Sequence, residues 1–493
     1  MNKEELRALE DEIMPNGMRR RDFLKGAAAF GMGVMPLAML LSGCSTAPAA
    51  PAEEKLSDTA ESPEGAAEGS PAPSDISTTD GAWVDPSKSD SLLDQVMAET
   101  EEVTDAVRPD GTVIPAIYVR MRNRINRIGN GIGSIPDETG YEMIMYLWSE
   151  EDAENYLKMP MHRMFTTGDY MAATGFDEET CQQILDDQAD RCLIWRTNRG
   201  GLPHYALIPY INGFWEFNEL LAHFSGVEGA VAEFDTQGIT GVDPNGENGT
   251  TFPLFRTYPI SVDVVAEDQL QPFQDWRALI RRNKNITVSP CQCRTMWEAL
   301  GVPHPDEHPH RTCLSLGDMA EYFMETGIGE QITQDEAIAI VEDIIDKGMV
   351  VESICAKNAD IICCCHSESC GNLMAWRGKN GQGDQGKFFS AYMLQYDGDA
   401  CIKCGKCLER CPMHSITFGD DGLCVMDAAC VRCGQCIPDC PSQARILTAT
   451  EGYPDLPEDY MDCNRYFAKD RMARGQLVDF TGGNLEAKAA PEA

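Results

Sequence analysis

The sequence predicts an α+β protein with three folded regions. Helical patterns followed by a β-ribbon cover residues 86–260, and a cysteine-rich stretch with both helix and strand patterns covers 261–395. A small domain at 396–450 contains one cysteine motif twice, and a C-terminal tail at 451–493 follows it. With 493 residues, 43% of them hydrophobic, the chain is long enough for two or three domains with cores of their own.

The chain is strongly acidic, with 79 Asp and Glu residues against 40 Lys and Arg residues and a formal net charge of −39. Such a chain repels nucleic-acid phosphates and anionic lipid surfaces, and it favours solubility or a partner with a basic patch. We therefore expect no nucleic-acid partner. Of the 21 cysteines, 17 lie between residues 291 and 440, mostly in a few clusters, an arrangement typical of metal ligands.

The first 44 residues predict an export signal. Arg20 and Arg21 precede an apolar run at 26–41, which ends in Leu41-Ser42-Gly43-Cys44. The paired arginines resemble a twin-arginine signal and the last four residues resemble a lipobox, which implies that Cys44 is lipidated. An uncleaved membrane helix is the alternative, but the run has only 16 residues, which is short for spanning a bilayer.

Residues 45–85 predict a disordered linker, because they contain almost no large apolar side chain. Together with a lipid on Cys44, this linker would tether the folded body to the extracytoplasmic (periplasmic or outer) face of the membrane. The twin-arginine route carries folded proteins, as the resemblance implies. Such a route suits a protein whose thiols must bind iron and sulfide in a reducing cytoplasm before they meet an oxidising compartment.

The central region predicts a helix pair followed by a β-hairpin. After an amphipathic helix at 88–107, we expect two helices within 167–192, divided at Gly175, and strands at 193–196 and 204–208. This order resembles a winged helix. DNA binding is not expected, since the second helix is itself acidic and the chain carries an export signal, so the unit is better interpreted as a packing or docking module.

The C-terminal domain carries the motif Cys-x-x-Cys-x-x-Cys-x-x-x-Cys-Pro at 401–412 and again at 430–441, each cysteine 29 residues after its counterpart. This duplication resembles the bacterial two-cluster ferredoxin over residues 398–448. The resemblance implies two 4Fe–4S clusters, in which the fourth cysteine of each motif binds the other cluster. One cluster would be held by Cys401, Cys404, Cys407 and Cys440, and the other by Cys430, Cys433, Cys436 and Cys411.

The residues around the motif fit this interpretation. Gly405 and Gly434 permit the tight loops that place three thiolates around one cluster. A pair of zinc ribbons is the alternative, but zinc takes four ligands at each site rather than eight that interleave between two sites. Cys424 has no place in the motif, and we expect it to be a buried thiol.

A second group of cysteines lies upstream. The segment Pro290-Cys291-Gln292-Cys293-Arg294 is followed by His304, His308 and His310, by a helix predicted at 333–347, and by a cysteine-dense run at 363–370. The whole arrangement loosely resembles a group of dicluster-ferredoxin proteins that have an upstream winged-helix-like region, over residues 140–450. The density of thiols predicts a third metal site, an iron–sulfur cluster or zinc, with ligands drawn from Cys291, Cys293, Cys313, Cys363, Cys364, Cys365 and Cys370.

Other interpretations of these cysteines stay open. The upstream group could be buried thiols or disulfides, although neighbouring thiols at this density are unusual in a core. A histidine among its ligands is a further alternative. We expect Cys181, Cys192, Cys355 and Cys463 to be structural.

The sequence favours an electron relay. Two 4Fe–4S clusters would pass electrons to or from a redox partner protein, either a membrane donor or an exported reductase. The alternative is an oxidoreductase that reduces its own substrate at the upstream cysteine and histidine site, and a third interpretation is a redox-responsive docking or regulatory protein. The sequence contains no dinucleotide-binding fingerprint, no phosphate-binding loop and no haem-attachment motif. The absence of a site for another cofactor favours the relay.

Overall fold

The structure is a computed structural model, and it describes residues 90–485 apart from 101, 132–136, 218–253, 267–271, 300–304, 306–307, 379–389, 427–428, 452, 454 and 476. The predicted export signal, with Arg20, Arg21 and Cys44, and the predicted linker at 45–85 lie outside the described residues. All described residues belong to one compact unit, 72–493. Within these described ranges, no helix is both long enough and apolar enough to cross a membrane.

The first elements of the described chain are short helices and a small sheet. They are α1 (Asp90–Met97), β1 (Ala106–Val107), β2 (Val113–Ile114), α2 (Ala116–Asn126), α3 (Asp137–Leu147) and α4 (Glu150–Tyr156). The predicted helix at 88–107 is therefore wrong beyond Met97. The chain becomes extended there because Ala106 and Val107 pair with β2 on one side and with residues 483–484 on the other.

A helix pair and a hairpin follow, as α5 (Thr167–Thr174), α6 (Glu178–Asp190), β3 (Trp195–Arg199) and β4 (Leu202–Ala206). Gly175 ends α5 with φ +76°, and the side chain of Asp177 caps α6 by accepting from the Thr180 backbone N–H. The strands pair from Trp195 with Ala206 to Arg199 with Leu202. The predicted elements are present, but the winged-helix description stays a prediction, since a helix pair and a hairpin also occur together in other folds.

The cysteine-rich region is built on a six-stranded antiparallel sheet. Its strands are β5 (Phe255–Thr257), β6 (Ile286–Pro290), β7 (Arg311–Leu316), β8 (Glu330–Gln331), β9 (Val350–Ile354) and β10 (Ile361–Cys365), in the spatial order β5-β9-β10-β7-β6-β8. Its helices are α7 (Trp276–Arg282), α8 (Gln292–Ala299), α9 (Gly317–Thr326), α10 (Gln334–Asp346) and α11 (Gly371–Gly378).

Two observations connect this sheet to the sequence predictions. Helix α10 lies inside the predicted 333–347 segment, and Thr333 and Glu336 form a capping box at its start. Strand β5 belongs to the sheet although it precedes the predicted domain boundary at residue 260, so that boundary cuts through one layer of the fold.

The ferredoxin-like region contains β11 (Tyr392–Tyr396), α12 (Lys406–Glu409), β12 (Ile416–Phe418), β13 (Cys424–Met426) and β14 (Arg445–Ala449). Strand β11 pairs with β14, so the predicted boundary at 395 also divides a strand pair. Side chains fix this region to the end of α10, because Arg410 donates to the Ile345 carbonyl at 2.7 Å and Gln435 donates to the Met349 carbonyl at 2.7 Å.

The predicted C-terminal tail is folded over its described part. It forms α13 (Tyr460–Ala473) and β15 (Gly483–Asn484), and β15 is the strand that pairs with β1. Buried Arg471 donates to the Asn126 carbonyl at 2.6 Å, and the Tyr460 hydroxyl donates to the Asn212 carbonyl at 2.5 Å. The end of the chain thus closes the first region, a long-range contact that local sequence patterns do not encode.

Candidate metal centres

The two cysteine motifs of the C-terminal region have the same backbone conformation. Positive φ occurs at Lys403, Gly405 and His414 in the first motif, and at the positions 29 residues later in the second, Arg432, Gly434 and Gln443. A positive φ inside each Cys-x-x-Cys loop turns backbone N–H groups toward the sulfurs. The backbone therefore repeats the duplication that the sequence shows.

Four thiols of the ferredoxin motifs line one cavity. Cys401, Cys404 and Cys407 from the first motif meet Cys440 from the second. Backbone N–H groups already point at two of these sulfurs, since Lys403 donates to Cys401 Sγ at 3.4 Å and Ala444 donates to Cys440 Sγ at 3.3 Å. Such N–H···S contacts stabilise the negative charge of cluster ligands, so this donor set fits an iron–sulfur cluster.

Cys424 lines the same cavity, although it lies outside the motif. Its side chain is 2% exposed, which agrees with the expected buried thiol. Burial raises the pKa of Cys424 to about 12, and contact with Cys407 acts in the same direction.

The other four motif thiols also lie close together. Burial raises the pKa of Cys430 to about 11, and the nearby charge of Cys411 adds to that shift. The same charge acts on Cys433 and Cys436. Cys411 thus lies beside the three cysteines of the second motif, where the ferredoxin pattern requires it.

The upstream cysteines come from four separate segments. Cys291 and Cys293 follow β6, Cys313 lies within β7, residues 363–365 end β10, and Cys370 precedes α11. Strand pairing places these segments side by side, because β10 lies next to β7 and β7 lies next to β6. All seven predicted upstream cysteines line one cavity of about 70 Å³, against about 20 Å³ at the ferredoxin site, so a group of cluster size fits here at least as well.

Six of the seven upstream thiols form a continuous series of contacts. In order of contact they are Cys291, Cys293, Cys370, Cys365, Cys363 and Cys313. Contacts with the Cys293 and Cys365 thiols lower the pKa of Cys370 to about 6, whereas contact with its neighbours and burial raise the pKa of Cys365. Cys364 is not part of the series, because adjacent residues of a strand point to opposite faces. The series offers more sulfurs than one cluster needs.

Arg294 is the buried cation beside these thiols. It has no exposed surface, and its guanidinium donates to the Pro309 carbonyl at 2.8 Å, the Cys364 carbonyl at 3.0 Å and Thr312 Oγ1 at 3.1 Å. Burial opposes its charge, but the surrounding sulfurs raise its pKa overall. The arginine of the Cys-x-Cys-Arg segment thus joins three segments around the cavity and balances thiolate charge, a role that the spacing alone did not indicate.

Two buried carboxyl groups face the same cavity, and the sequence analysis missed both. Burial raises the pKa of Glu352 to about 8 and that of Glu216 to about 8. One carboxylate oxygen of Glu352 lies within 4.8 Å of the sulfurs of Cys365 and Cys370. Glu352 could have been noticed as the one acid in the otherwise apolar or small β9 sequence, Val-Val-Glu-Ser-Ile.

The histidines do not join the cysteine cavity in the described part of the chain. His308 lies beside His366, with ring centroids 4.4 Å apart, and neither residue lines that cavity. His310 pairs with Glu298 at 3.1 Å. His304 lies outside the described residues. A histidine ligand to the upstream cysteine site therefore receives no support from the geometry.

None of the described cysteines forms a disulfide. The alternative of disulfide-bonded upstream cysteines is therefore not what the structure shows. Cys181, Cys192, Cys355 and Cys463 are buried, and they line neither cysteine cavity, in agreement with a structural role.

The upstream and ferredoxin thiols share one buried cluster. Cys365 and Cys370 pack in it with Cys407, Cys411 and Cys433, around apolar side chains that include Val350, Leu373, Trp376 and Met413. Trp376, at the end of α11, donates to the Ala429 carbonyl at 3.2 Å, directly before the second motif. Thiols of both groups therefore pack within one interior.

Comparison with known proteins identifies the C-terminal part. Residues 400–444 match the family described as the 4Fe-4S dicluster domain. No curated protein and no solved structure matches the chain. Residues 400–444 thus form a ferredoxin-type domain that binds iron–sulfur clusters, and the role it supports is electron transfer.

Proposed function

We propose that the chain is an electron relay with three iron–sulfur clusters. Two 4Fe–4S clusters are held in the ferredoxin-type domain, one by Cys401, Cys404, Cys407 and Cys440 and the other by Cys430, Cys433, Cys436 and Cys411. A third cluster is held in the upstream cavity by four of the six thiols that contact one another. The observation that carries this proposal is the single buried cluster of side chains that contains thiols of both groups.

The surface of the domain supports a protein partner. Cys404 is exposed, and the neighbouring Ile402 side chain is 63% exposed, so one cluster lies close to solvent. Cys433 and Cys436 of the second motif are buried, in the cluster of side chains that also contains Cys365 and Cys370 of the upstream group. Electrons would then enter or leave beside Cys404 and pass inward through the second cluster toward the upstream one, or in the reverse direction.

Iron counting tests the third cluster. Each 4Fe–4S cluster contributes four iron atoms, so we expect about twelve per chain after anaerobic purification, and about eight when Cys291 and Cys293 are both replaced by Ser. Cys181→Ser is the matched control, because this buried thiol lies outside both cavities. A wild-type chain with about eight iron atoms, and with a zinc that is lost when Cys291 and Cys293 are replaced, would make the upstream site a zinc site; eight iron atoms with no such zinc would remove it.

A second candidate function is an oxidoreductase that acts at the upstream site. The observation that favours it is the pair of protonatable carboxyl groups, Glu216 and Glu352, beside thiols and the apolar Trp215 in one cavity. A cluster with one non-thiolate position could bind a small substrate there and receive protons from these acids. Adding cyanide to the reduced protein distinguishes the two functions: a changed paramagnetic resonance spectrum favours the enzyme, and an unchanged one favours the relay.

We further propose that the protein is exported folded and anchored by lipid on Cys44, with a membrane donor or an exported reductase as its partner. The sequence around Arg20 and Arg21 supports this. Replacing both arginines by Lys should keep the protein in the cytoplasm with its clusters intact, and Cys44→Ser should release it from the membrane fraction. Export of the double variant in a strain that lacks the twin-arginine translocase would contradict the route, and membrane retention of Cys44→Ser would contradict the anchor.

A further inference from the structure

Three histidines and a glutamate meet outside the cysteine cavity. Ligand atoms of His308, His366 and Glu368 all lie within 4.8 Å of one another. His414 extends the group, because its Nε2 lies 3.1 Å from Glu368 Oε1, while the other Glu368 oxygen lies 3.6 Å from His366 Nδ1. One carboxylate is thus flanked by imidazoles on both sides, and a third imidazole packs against them.

The fold holds these residues together from three segments. Ser369 lies 3.2 Å from His308 Nδ1, and Arg294 donates to the same Ser369 hydroxyl at 3.3 Å. Ser367 donates to the Pro412 carbonyl at 2.6 Å, which fixes the loop that carries His414. Polar partners that orient an imidazole from outside are typical of metal sites, since they set the ring's direction before the ion binds.

The exposure of the group is graded from the interior to the surface. His308 and His366 are buried, whereas the side chains of Glu368 and His414 are 33% and 44% exposed. An ion among them would be held by two rings in the interior and would keep one side open to solvent. Glu368 Oε1 and His414 Nε2 are 3.1 Å apart, near the separation of about 3.3 Å between ligand atoms in a tetrahedral site with bonds of about 2.0 Å.

We propose that His308, His366, Glu368 and His414 bind a divalent first-row transition-metal ion. Imidazole nitrogens with one carboxylate form a ligand set suited to such ions, and they differ from the all-sulfur sets beside them. His366 and Glu368 lie between Cys365 and Cys370 in the sequence, and His414 follows Cys411. The ion thus connects the loop of the upstream cysteines to the loop of the second ferredoxin cluster. This site does not depend on the proposed electron relay.

Zinc is the probe that tests the site on the full chain. Purified protein is dialysed against chelator and then titrated with Zn²⁺, with zinc and iron counted together. We expect one zinc per chain at unchanged iron content. X-ray absorption at the zinc edge should show nitrogen and oxygen at about 2.0–2.1 Å; sulfur at about 2.3 Å, or no bound zinc, would overturn the proposal.

The chain itself suggests the variants. His414→Gln copies the second motif, where Gln443 occupies the matching position with φ 53° against 50° at His414, so the backbone accepts this change. Glu368→Gln keeps the shape of the carboxylate and removes its charge. Each variant should weaken zinc binding by roughly 100-fold or more. Loss of a residue that only orients a ligand already weakens metal binding by about 10–100-fold.

His310→Gln is the matched control, because His310 pairs with Glu298 outside the group. It should bind zinc as the wild type does. Equal zinc affinity in the wild type, His414→Gln and Glu368→Gln would overturn the assignment of ligands. Wild-type protein that binds one zinc but holds no iron after anaerobic purification would contradict the electron relay and leave this site standing.

Discussion

Replacing Arg294 by Met should remove the proposed upstream cluster before the rest of the protein loses its structure. Arg294 is fully buried and donates hydrogen bonds to four groups: the Pro309 carbonyl, the Cys364 carbonyl, Thr312 Oγ1 and Ser369 Oγ. Met fills a similar length without a donor or a charge. It leaves these acceptors without their cation and removes the positive charge that faces the thiolates.

The size of the effect follows from those contacts. A hydrogen bond to a charged group contributes about 1.5–3 kcal/mol, and removing one partner of a buried charged group costs about 3–5 kcal/mol. Met also avoids the cost of burying a charge. We therefore expect the free energy of unfolding to fall by about 3–5 kcal/mol, less than the summed contributions of the four hydrogen bonds. Most of it falls on the segments around the upstream cavity.

Guanidinium denaturation under anaerobic conditions measures this loss, with cluster absorbance and circular dichroism followed together. The Arg294→Met variant should lose about four iron atoms at a denaturant concentration where the ferredoxin clusters and the secondary structure persist. Arg294→Lys keeps the charge without the planar set of donors. Its iron content and its denaturation midpoint should lie between those of Arg294→Met and the wild type. Unchanged iron content and an unchanged midpoint for Arg294→Met would refute the reasoning.

Three further predictions concern single side chains. Cys411→Ser should damage the cluster of the second motif and remove spin coupling between the two ferredoxin clusters, whereas damage confined to the first motif's cluster would contradict interleaved ligation. Cys424→Ala should keep the full iron content, because this thiol lines the first cavity without being a ligand, and a loss of four iron atoms would make it one. Burial lowers the pKa of His162 to about 4, against 6.5 for an unperturbed ring, so the unfolded chain takes up a proton that the folded chain refuses. This histidine should therefore lower the free energy of unfolding by about 2 kcal/mol between pH 7 and pH 5, and His162→Gln should remove this part of the pH dependence. Denaturation midpoints of the wild type and the variant at both pH values measure the difference.

Local patterns predicted the parts of the fold that local chemistry determines. The helix break at Gly175 and the helix predicted at 333–347 are both present, because turn and capping residues next to the helix ends determine them. The duplicated cysteine spacing also anticipated the repeated backbone conformation, including the positive φ of Gly405 and Gly434.

Long-range contacts account for what the sequence did not predict. Ala106 and Val107 lie within the predicted helix at 88–107, yet they pair with residues 483–484, and no local pattern records that partner. The proximity of Glu352 to Cys365 depends on the register of two strands, and the contact between His414 and Glu368 depends on two distant loops. Spacing grouped the upstream thiols, and the structure places them around one cavity, but which of them meet could be read only from the sheet.

Redox titration of the anaerobically purified full chain, followed by paramagnetic resonance and iron counting, tests the central claim most directly. The account predicts reversible one-electron reduction with spin-coupled 4Fe–4S signals from the ferredoxin-type domain, a third signal that disappears when Cys291 and Cys293 are replaced by Ser, and about twelve iron atoms per chain. A chain that holds zinc in place of iron at 401–440, or iron that does not change its oxidation state reversibly, would contradict it.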